Sequence, residues 1–210
     1  MLTKLDLRTN LKRFYNPSAK KIEVVDLPSF PFIMIDGLIE PGLGPSDSPG
    51  FQEAMQAIYG AAYTLKFMLK LRKVDPVDYP VMALEGLWWV EGGEWSIDRK
   101  DNWAYTMMVL QPDVITPDLF QEGLAQLRKK KGDQPGFARL RLEPFAEGLC
   151  IQTLHVGPYS TEPATIEKMD AFARENGYTP HGKHHEIYMG NPMRADPAKL
   201  KTILRHPILA

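Results

Sequence analysis

Two glutamates lie in predicted strands, where a carboxylate is unusual. Glu85 falls in the sequence LEGLWW at 84–89, and Glu186 falls in HHEIY at 184–188. A carboxylate in such a strand is costly to bury unless a cation or a hydrogen-bond donor pairs with it. Each glutamate is therefore either one half of an ion pair with an arginine or lysine at a sheet edge, or a functional group.

Aromatic side chains are frequent around both glutamates. Ring faces attract a cation by about 0.5–2 kcal/mol per good contact, and flat molecules stack on Trp and Tyr rings. Two carboxylates in an aromatic cleft would therefore hold a planar, hydrophobic, often cationic compound. Alternatively, the tryptophans are ordinary core residues. Besides Glu85 and Glu186, the candidate ligand-binding residues are Trp88, Trp89, Trp103, Tyr105, Tyr159 and Tyr188, joined by Tyr59 and Tyr63 from a long helix.

The same two glutamates, Glu85 and Glu186, are the candidate catalytic residues. Burial raises the pKa of a carboxyl group, and a second carboxylate nearby raises it further. One glutamate could then act as a base on water while the other, or a tyrosine hydroxyl, acts as an acid. That chemistry suits the hydrolysis of a strained electrophile held by stacking.

Other reactive residue types form no recognisable site in the sequence. His184 and His185 are neighbours on a strand and so point to opposite faces, which suits no single metal ion. Cys150 has no base partner in sequence, which favours a buried, inert thiol. No phosphate loop, nucleophile elbow or helix-borne zinc motif is present. We expect neither a metal nor a cofactor.

Composition and charge indicate a globular, cytoplasmic protein. Hydrophobic residues make up 44% and charged residues 24% of the 210 residues. The 25 basic and 26 acidic residues give a net charge of -1, so we expect no direct binding to nucleic acid. A single cysteine fits a reducing compartment. The first residues lack the apolar core of a signal peptide, and no apolar run reaches the roughly 20 residues of a membrane span.

Hydrophobic spacing predicts the elements that must position these residues. Apolar side chains at 51, 55, 58, 62, 65 and 69 form one helical stripe. A connecting helix is predicted from its cap at Thr116 to Gly132. In the second half, a final short helix is predicted from Asp196 onward, carrying Leu200, Ile203 and Leu204. The remaining predicted elements are strands at 30–38, 81–90, 103–110, 137–142, 149–156 and 183–189, a turn at 91–94, and helices at 6–15 and 161–176.

The similar order of elements in the two halves predicts a duplicated unit. We expect one domain over 1–210, with pseudo-repeat halves at about 22–112 and 135–210. The expected class is α+β, with tandem strand-helix-strand-strand modules, an antiparallel sheet carrying helices on one face, and a ligand cleft between the modules. In that arrangement Glu85 and Glu186 occupy matched strands and face one another across the cleft.

Several short motifs, in order, resemble those of the GyrI-like small-molecule-binding family, and the resemblance covers nearly the whole chain. The residues that carry it are Val25-Asp26-Leu27-Pro28, Ile35-Asp36-Gly37, Leu84-Glu85-Gly86-Leu87-Trp88-Trp89, His155-Val156-Gly157-Pro158-Tyr159, His185-Glu186-Ile187-Tyr188, Asn191-Pro192 and Leu200-Lys201-Thr202-Ile203-Leu204-Arg205.

The resemblance implies a tandem strand-helix-strand-strand fold that also forms the effector-binding part of multidrug-responsive transcription activators. Stand-alone members are thought to sequester drugs, and some hydrolyse the cyclopropane ring of DNA-alkylating natural products. By motif position, Glu186 matches the central acidic residue, and Glu85 with Trp88 and Trp89 matches a second acidic and aromatic strand. No helix-turn-helix precedes the fold, so we expect no direct transcriptional control.

Three functions follow as hypotheses. The first is reversible capture of planar, hydrophobic, often cationic compounds, that is, multidrug binding. The second is an enzyme, a hydrolase that opens electrophilic cyclopropane rings by adding water. The third and weakest is an interaction protein whose cleft inhibits another protein. No particular residue of the sequence indicates this function.

Overall fold

A computed structural model describes residues 1–90, 103–190 and 195–210. Its helices are α1 (Leu7–Asn10), α2 (Lys12–Tyr15), α3 (Pro49–Lys70), α4 (Pro117–Lys131), α5 (Pro135–Arg139) and α6 (Pro163–Glu175). Its strands are β1 (Thr3–Lys4), β2 (Glu23–Leu27), β3 (Phe30–Leu38), β4 (Val77–Asp78), β5 (Leu84–Val90), β6 (Trp103–Leu110), β7 (Arg141–Phe145), β8 (Gly148–Val156), β9 (Thr179–Pro180), β10 (His184–Tyr188) and β11 (Lys201–Leu209).

The main sheet is antiparallel, with strand order β2-β8-β11-β10-β5-β6-β3-β7. Strand β9 adds to the end of β11, and β1 pairs with β4 in a separate parallel ribbon. Helices α3 and α6 pack on one face, over the apolar side chains of β3 and β6 and of β8 and β11 respectively. The predicted α+β class, with helices on one face of an antiparallel sheet, is confirmed.

Strands β5 and β10 are neighbours at the middle of this order. On one side follow β6 and β3, and on the other side β11 and β8, so the two halves of the chain mirror each other about the β5–β10 pair. The outermost strands are exchanged, because β2 pairs with β8 and β7 pairs with β3. A duplicated unit with its axis between β5 and β10 would produce this order.

Helix α3 forms where its apolar stripe predicts it, and it begins at Pro49, inside the segment expected to be a loop. The Ser48 hydroxyl accepts a hydrogen bond from the Phe51 backbone N–H at 3.0 Å, and Pro49 occupies the first turn. The inward face carries small and branched side chains, including Ala54, Ile58 and Leu65, which are almost fully buried. These side chains pack on β3 and β6 and hold α3 over the centre of the sheet.

Helix α4 packs directly against α3. Thr116 caps its first turn, and Gly132, at a φ of 78°, follows its last turn as predicted. Two glycines bring the helices together, because a Cβ on Gly60 would lie 3.4 Å from Leu127 and one on Gly123 would lie 2.7 Å from Leu65. Gly60 of α3 lies next to Leu127 of α4, and the later Leu65 lies next to the earlier Gly123, so the two helices run antiparallel.

The opposite face of the sheet is covered by the first residues of the chain. Leu7, Leu11 and Phe14 pack there with the buried ring of Tyr15, against side chains such as Phe32 and Leu87. The predicted single helix over 6–15 is instead two short helices, α1 and α2, which meet at Leu11.

Two predicted elements are wrong. The segment after Asp196 has one short 3-10 turn and then strand β11, not a helix. Strand β11 pairs with both β8 and β10 and is buried on both faces, so its apolar run shows no period of two that would distinguish it from a buried helix. Residues 137–142, predicted as a strand, are the end of α5 and the start of β7.

The turn predicted at 91–94 and the motif at 191–192 lie outside the described residues. Within the described ranges, no helix combines the length and apolarity needed to cross a membrane.

Candidate ligand-binding site

Glu85 and Glu186 lie on adjacent strands but on opposite faces of the sheet. In the β5–β10 pair, Glu186 is opposite Gly86 and Glu85 is opposite Ile187. Directly paired residues share a face and successive residues alternate. Glu186 therefore lies on the helix face with Trp88, and Glu85 lies on the face covered by α1 and α2. The expectation that these two glutamates face one another across a cleft is wrong, because the register of the pair places them one residue out of phase.

Glu85 belongs to a fully buried polar cluster. The Tyr15 hydroxyl donates to its carboxylate at 2.6 Å, and His185 Nε2 lies 3.1 Å from its other oxygen. His185 Nδ1 in turn lies 2.9 Å from Glu147, and Arg205 donates to the same Glu147 oxygen at 3.2 Å. Glu85 is thus paired in the centre of the sheet, neither at an edge with a lysine or arginine nor open to a ligand.

The electrostatics of this cluster favour two ion pairs. Burial raises the pKa of Glu147, but His185 and Arg205 outweigh it and hold that pKa at about 2. Burial lowers the pKa of His185, but Glu147 and Glu85 outweigh it and raise the pKa overall. Arg205 also donates to the Phe14 carbonyl at 2.8 Å. The cluster therefore fastens the N-terminal segment to the sheet, which is a structural role.

Glu186, by contrast, lies beneath the helices and is partly accessible, with 13% of its side chain exposed. The Tyr188 hydroxyl donates to one carboxylate oxygen at 2.7 Å, and His184 Nε2 lies 3.0 Å from the other. Trp88 Nε1–H donates to the Tyr188 hydroxyl at 2.9 Å. Gly86 leaves the room for this arrangement, because a Cβ there would lie 2.7 Å from Trp88 Nε1.

A second histidine supports His184. His206 Nε2 lies 2.6 Å from His184 Nδ1. Burial, and then the proximity of His184, lower the pKa of His206 to about 3, so its ring is neutral at pH 7. When His184 Nε2–H donates to Glu186, its Nδ1 accepts from His206 Nε2–H. The orientation of the Glu186 carboxylate is therefore fixed from both of its oxygens.

Glu162 is the second carboxylate on this face, and the sequence reasoning missed it. It stands at the start of α6 without capping the helix, and it is 1% exposed. Neither of its oxygens has a hydrogen-bond partner among the described residues, nor has the nearby Thr202 hydroxyl. Burial, and then the charge of Glu186, raise the pKa of Glu162 to about 8 and outweigh the lowering of that pKa by the nearby Thr202 hydroxyl. A glutamate three residues after Tyr159, just before Pro163, was the available signal.

Aromatic rings adjoin the two carboxylates. The Trp88 ring stacks on Phe51 with centroids 5.8 Å apart. The ring centroids of Trp103 and Tyr105 also lie 5.8 Å from that of Trp88. Tyr159 meets Tyr188 edge to face at 6.0 Å and is 36% exposed. The structure thus places the predicted rings Tyr159 and Tyr188 next to Glu186 and Glu162, and Trp88 reaches this group through its hydrogen bond to Tyr188. The predicted rings Trp103 and Tyr105 pack with Phe51 on the Trp88 ring in the core beneath α3, where Tyr105 is fully buried.

Three other predicted ligand-binding residues lie elsewhere. Tyr59 and Tyr63 line a groove between α3 and α4, because they project from the side of α3 that faces away from Trp88. Trp89 lies on the face of Glu85, since it follows Trp88 on the strand, and the Lys183 ammonium sits 3.3 Å from its ring centroid. This cation already occupies one face of the Trp89 ring.

An antiparallel sheet with helices over a face that carries two neighbouring acids and a partly exposed tyrosine is the form of a small-molecule-binding domain. The chain belongs to the GyrI-like family, since the GyrI-like small molecule binding domain matches residues 20–208. A search of curated proteins finds no match.

Three solved structures from Listeria innocua are similar along nearly the full length of both chains. One, described as an uncharacterized conserved protein, is 36% identical with a TM-score of 0.88, and the match covers 98% of this chain and 100% of that chain. Two are described as hydrolases. One is 36% identical with a TM-score of 0.85, covering 99% and 100%, and the other is 34% identical with a TM-score of 0.82, covering 98% and 100%.

Proposed function

We propose that the helix-side face of β5 and β10 binds planar, hydrophobic, often cationic small molecules between its rings and the Glu162–Glu186 pair. One observation carries the proposal: Glu162 is buried beside Glu186 with both oxygens unpartnered among the described residues. A buried polar group without a partner costs about 1–3 kcal/mol, and a structural ion pair such as that of Glu85 would remove this cost. A cationic ligand would supply the missing partner.

The rings favour flat compounds without demanding one structure. Tyr159 and Tyr188 meet edge to face next to Glu186, Tyr159 is partly exposed, and Trp88 donates a hydrogen bond to the Tyr188 hydroxyl. Stacking and cation–π contacts are weakly directional. The site would therefore accept several unrelated aromatic cations, which is the behaviour required for multidrug binding and sequestration.

The binding proposal is tested with a cationic dye, rhodamine 6G, and a neutral dye, Nile red. Glu186→Gln removes one negative charge while keeping hydrogen-bonding atoms, so it should weaken the cation about tenfold and the neutral dye less than about twofold. Glu167→Gln, at an exposed position on helix α6, which follows Glu162, is the matched control. Equal losses for both dyes in the Glu186 variant would refute the charge argument.

A second candidate function is hydrolysis of an electrophilic cyclopropane. It is favoured by the two hydrolases from Listeria innocua that are 34–36% identical over their full length. It is also favoured by the raised pKa of Glu162, because this keeps the Glu162 proton available as an acid near neutral pH. Here Glu186 would be the base and Glu162 the acid, and Glu85 has no part in the reaction.

The reaction proposed is the addition of one water. Glu186 takes a proton from water as the new carbon–oxygen bond forms and the strained carbon–carbon bond breaks. The electron pair of the broken bond moves to the conjugated carbonyl oxygen of the substrate, which takes its proton from Glu162. Transfer of the proton from Glu186 to Glu162 restores the starting state.

Mass spectrometry of a spirocyclopropyl dienone incubated with the protein tests the reaction. The water adduct should form with the unmodified protein and with Glu167→Gln, and should be lost with Glu186→Gln and Glu162→Gln. Recovery of unchanged dienone from a protein that still binds rhodamine 6G would leave binding alone as the function.

A further inference from the structure

A second surface with the properties of a binding site lies on the far side of α3. The α3–α4 groove has a volume of about 860 Å³ and carries an aromatic row formed by Tyr59, Tyr63 and Phe67. These three side chains are 37%, 48% and 47% exposed. Successive ring centroids are 6.4 and 6.5 Å apart, so the rings form one continuous apolar strip. Exposed apolar strips of this kind mark interaction sites more often than chance surface residues.

The shape of the groove suits a third helix. Gly60 and Gly123 let the two helix backbones approach closely, which leaves a channel above them. The lining residues of α3 run from Gln52 to just beyond its end at Arg72. At the rise of an α-helix that distance is about 30 Å, the length of roughly 20 helical residues. The rings repeat every four residues, which is the ridge spacing against which another helix packs.

Positive charge is concentrated at the two ends of the groove. Lys130 and Lys131 lie at one end, and Arg72 lies at the other, because α3 and α4 are antiparallel. None of the three forms an ion pair with another described residue. Glu122 is the one acidic residue in the lining, and it accepts a hydrogen bond from Gln126.

We propose that the α3–α4 groove docks an amphipathic helix of another protein, whose apolar stripe lies on the aromatic row and whose acidic residues meet the basic ends. This helix-in-groove mode uses anchors at intervals of three and four residues. A second copy of this chain that docked through the same groove would bring the cations of the two grooves against each other. A nucleic acid would need cations along the whole groove, but its middle is apolar and contains Glu122.

The test uses two fluorescein-labelled helical peptides of about 18 residues with one shared Leu/Phe stripe, flanked by glutamate in one and by lysine in the other. Fluorescence anisotropy with the full chain should show the acidic peptide binding at least about tenfold more tightly. Tyr63→Ser should weaken it about tenfold or more, and Lys130→Glu with Lys131→Glu should remove the preference for the acidic peptide. Leu38→Ser, exposed on the opposite face of the sheet, should have no effect.

Several outcomes would overturn the proposal. Equal affinity for the two peptides would remove the charge argument, and full affinity in Tyr63→Ser would remove the aromatic row. A dimer in sedimentation velocity that dissociates in Tyr63→Ser would assign the groove to a second copy. Displacement of the acidic peptide by a single-stranded oligonucleotide at lower concentration would assign it to nucleic acid. Rhodamine 6G binding is independent of each result.

Discussion

Glutamate occurs in three different environments, at Glu85 and Glu186 in the sheet and at Glu162 at the start of α6. Glu85 is buried with Tyr15 and His185 as hydrogen-bond partners, whereas Glu162 is buried without a partner among the described residues. Glu186 lies between these extremes, with partners on both oxygens and partial access to solvent. What separates a structural acid from a functional one here is the set of groups around it, and an unpaired buried acid is the stronger indication of a binding site.

Glu162 should make the protein less stable as the pH rises. Its folded pKa of about 8 is above the ordinary value of 4.5, so the folded state binds the proton more tightly than the unfolded state. The resulting stability is complete below pH 4.5 and is lost as the pH rises to 8. Glu162→Gln should therefore be more stable than the unmodified protein by about 1–3 kcal/mol at pH 9, with little difference at pH 5.

Urea unfolding at pH 5, 7 and 9 measures this difference. Glu167→Gln, which replaces an exposed glutamate of α6, should show no comparable trend. A constant difference between Glu162→Gln and the unmodified protein at all three values would contradict the raised pKa.

Gly86 should be required for the arrangement of rings around Glu186. A Cβ at this position would lie 2.7 Å from Trp88 Nε1 and 3.2 Å from the Tyr188 hydroxyl. Gly86→Ala should therefore separate these two groups, cost about 1–3 kcal/mol, and shift the tryptophan emission. Gly44→Ala is the control, because a Cβ there meets no atom within 4 Å. Unchanged melting temperature and emission in Gly86→Ala would show that the site tolerates the added carbon.

At the scale of elements, the pairing of β5 with β10 decides what each face of the sheet presents. Its register places Glu186 with Trp88 beneath α3 and α6, and Glu85 with His185 beneath α1 and α2. The N-terminal segment is fastened by the Glu85 cluster, since Arg205 donates to the Phe14 carbonyl and Tyr15 donates to Glu85. One face thus holds the N-terminal segment, and the other carries the proposed ligand site.

The buried cluster of Glu85, His185, Glu147 and Arg205 beneath α1 and α2 should lose its stabilising effect at acidic pH. Glu147 has a folded pKa of about 2, below the ordinary 4.5, so its stabilisation is present above pH 4.5 and is lost as the pH falls towards 2. Glu147→Gln leaves His185 and Arg205 without their shared acid, and should cost about 3–5 kcal/mol at pH 7. Its unfolding free energy should also depend less on pH between 4.5 and 2.

If Glu147→Gln does not fold, Tyr15→Phe is a milder substitution that tests the same cluster. It removes one hydrogen bond to the buried Glu85 and should cost about 1–3 kcal/mol. In this variant, backbone amide hydrogen exchange should become faster in residues 7–15, and should change less in β5. Protection of residues 7–15 equal to that of the unmodified protein would show that the cluster does not hold this segment.

At the scale of the whole molecule, the proposed site lies where the two halves of the chain meet. The ligand would contact β5 from one half and β10 and α6 from the other, through one continuous sheet. Binding should therefore stabilise the chain as one unit. At a free rhodamine 6G concentration of 100 times Kd, the unfolding free energy should rise by about 2.7 kcal/mol.

Circular dichroism and tryptophan fluorescence should report the same unfolding midpoint with and without the dye. Two separate transitions, of which the dye moves only one, would show that the halves unfold independently and that the ligand contacts a single half.

Much of this fold could be predicted from local signals. The apolar stripe predicted α3, Thr116 and Gly132 bounded α4, and the alternation within each strand determined which residues share a face with Glu186. The family resemblance followed from the motifs in order and is confirmed. These features could be predicted because they depend on residues close together in the chain.

The tertiary structure alone decided which acids meet. Register between strands distant in sequence depends on packing across the whole sheet, and a shift by one residue exchanges the faces. This register separated Glu85 from Glu186, and the path of the chain into α6 placed Glu162 beside Glu186 instead. For the same reason the rotation of α3 on the sheet, which turns Tyr59 and Tyr63 away from the site, could not be read from a helical stripe.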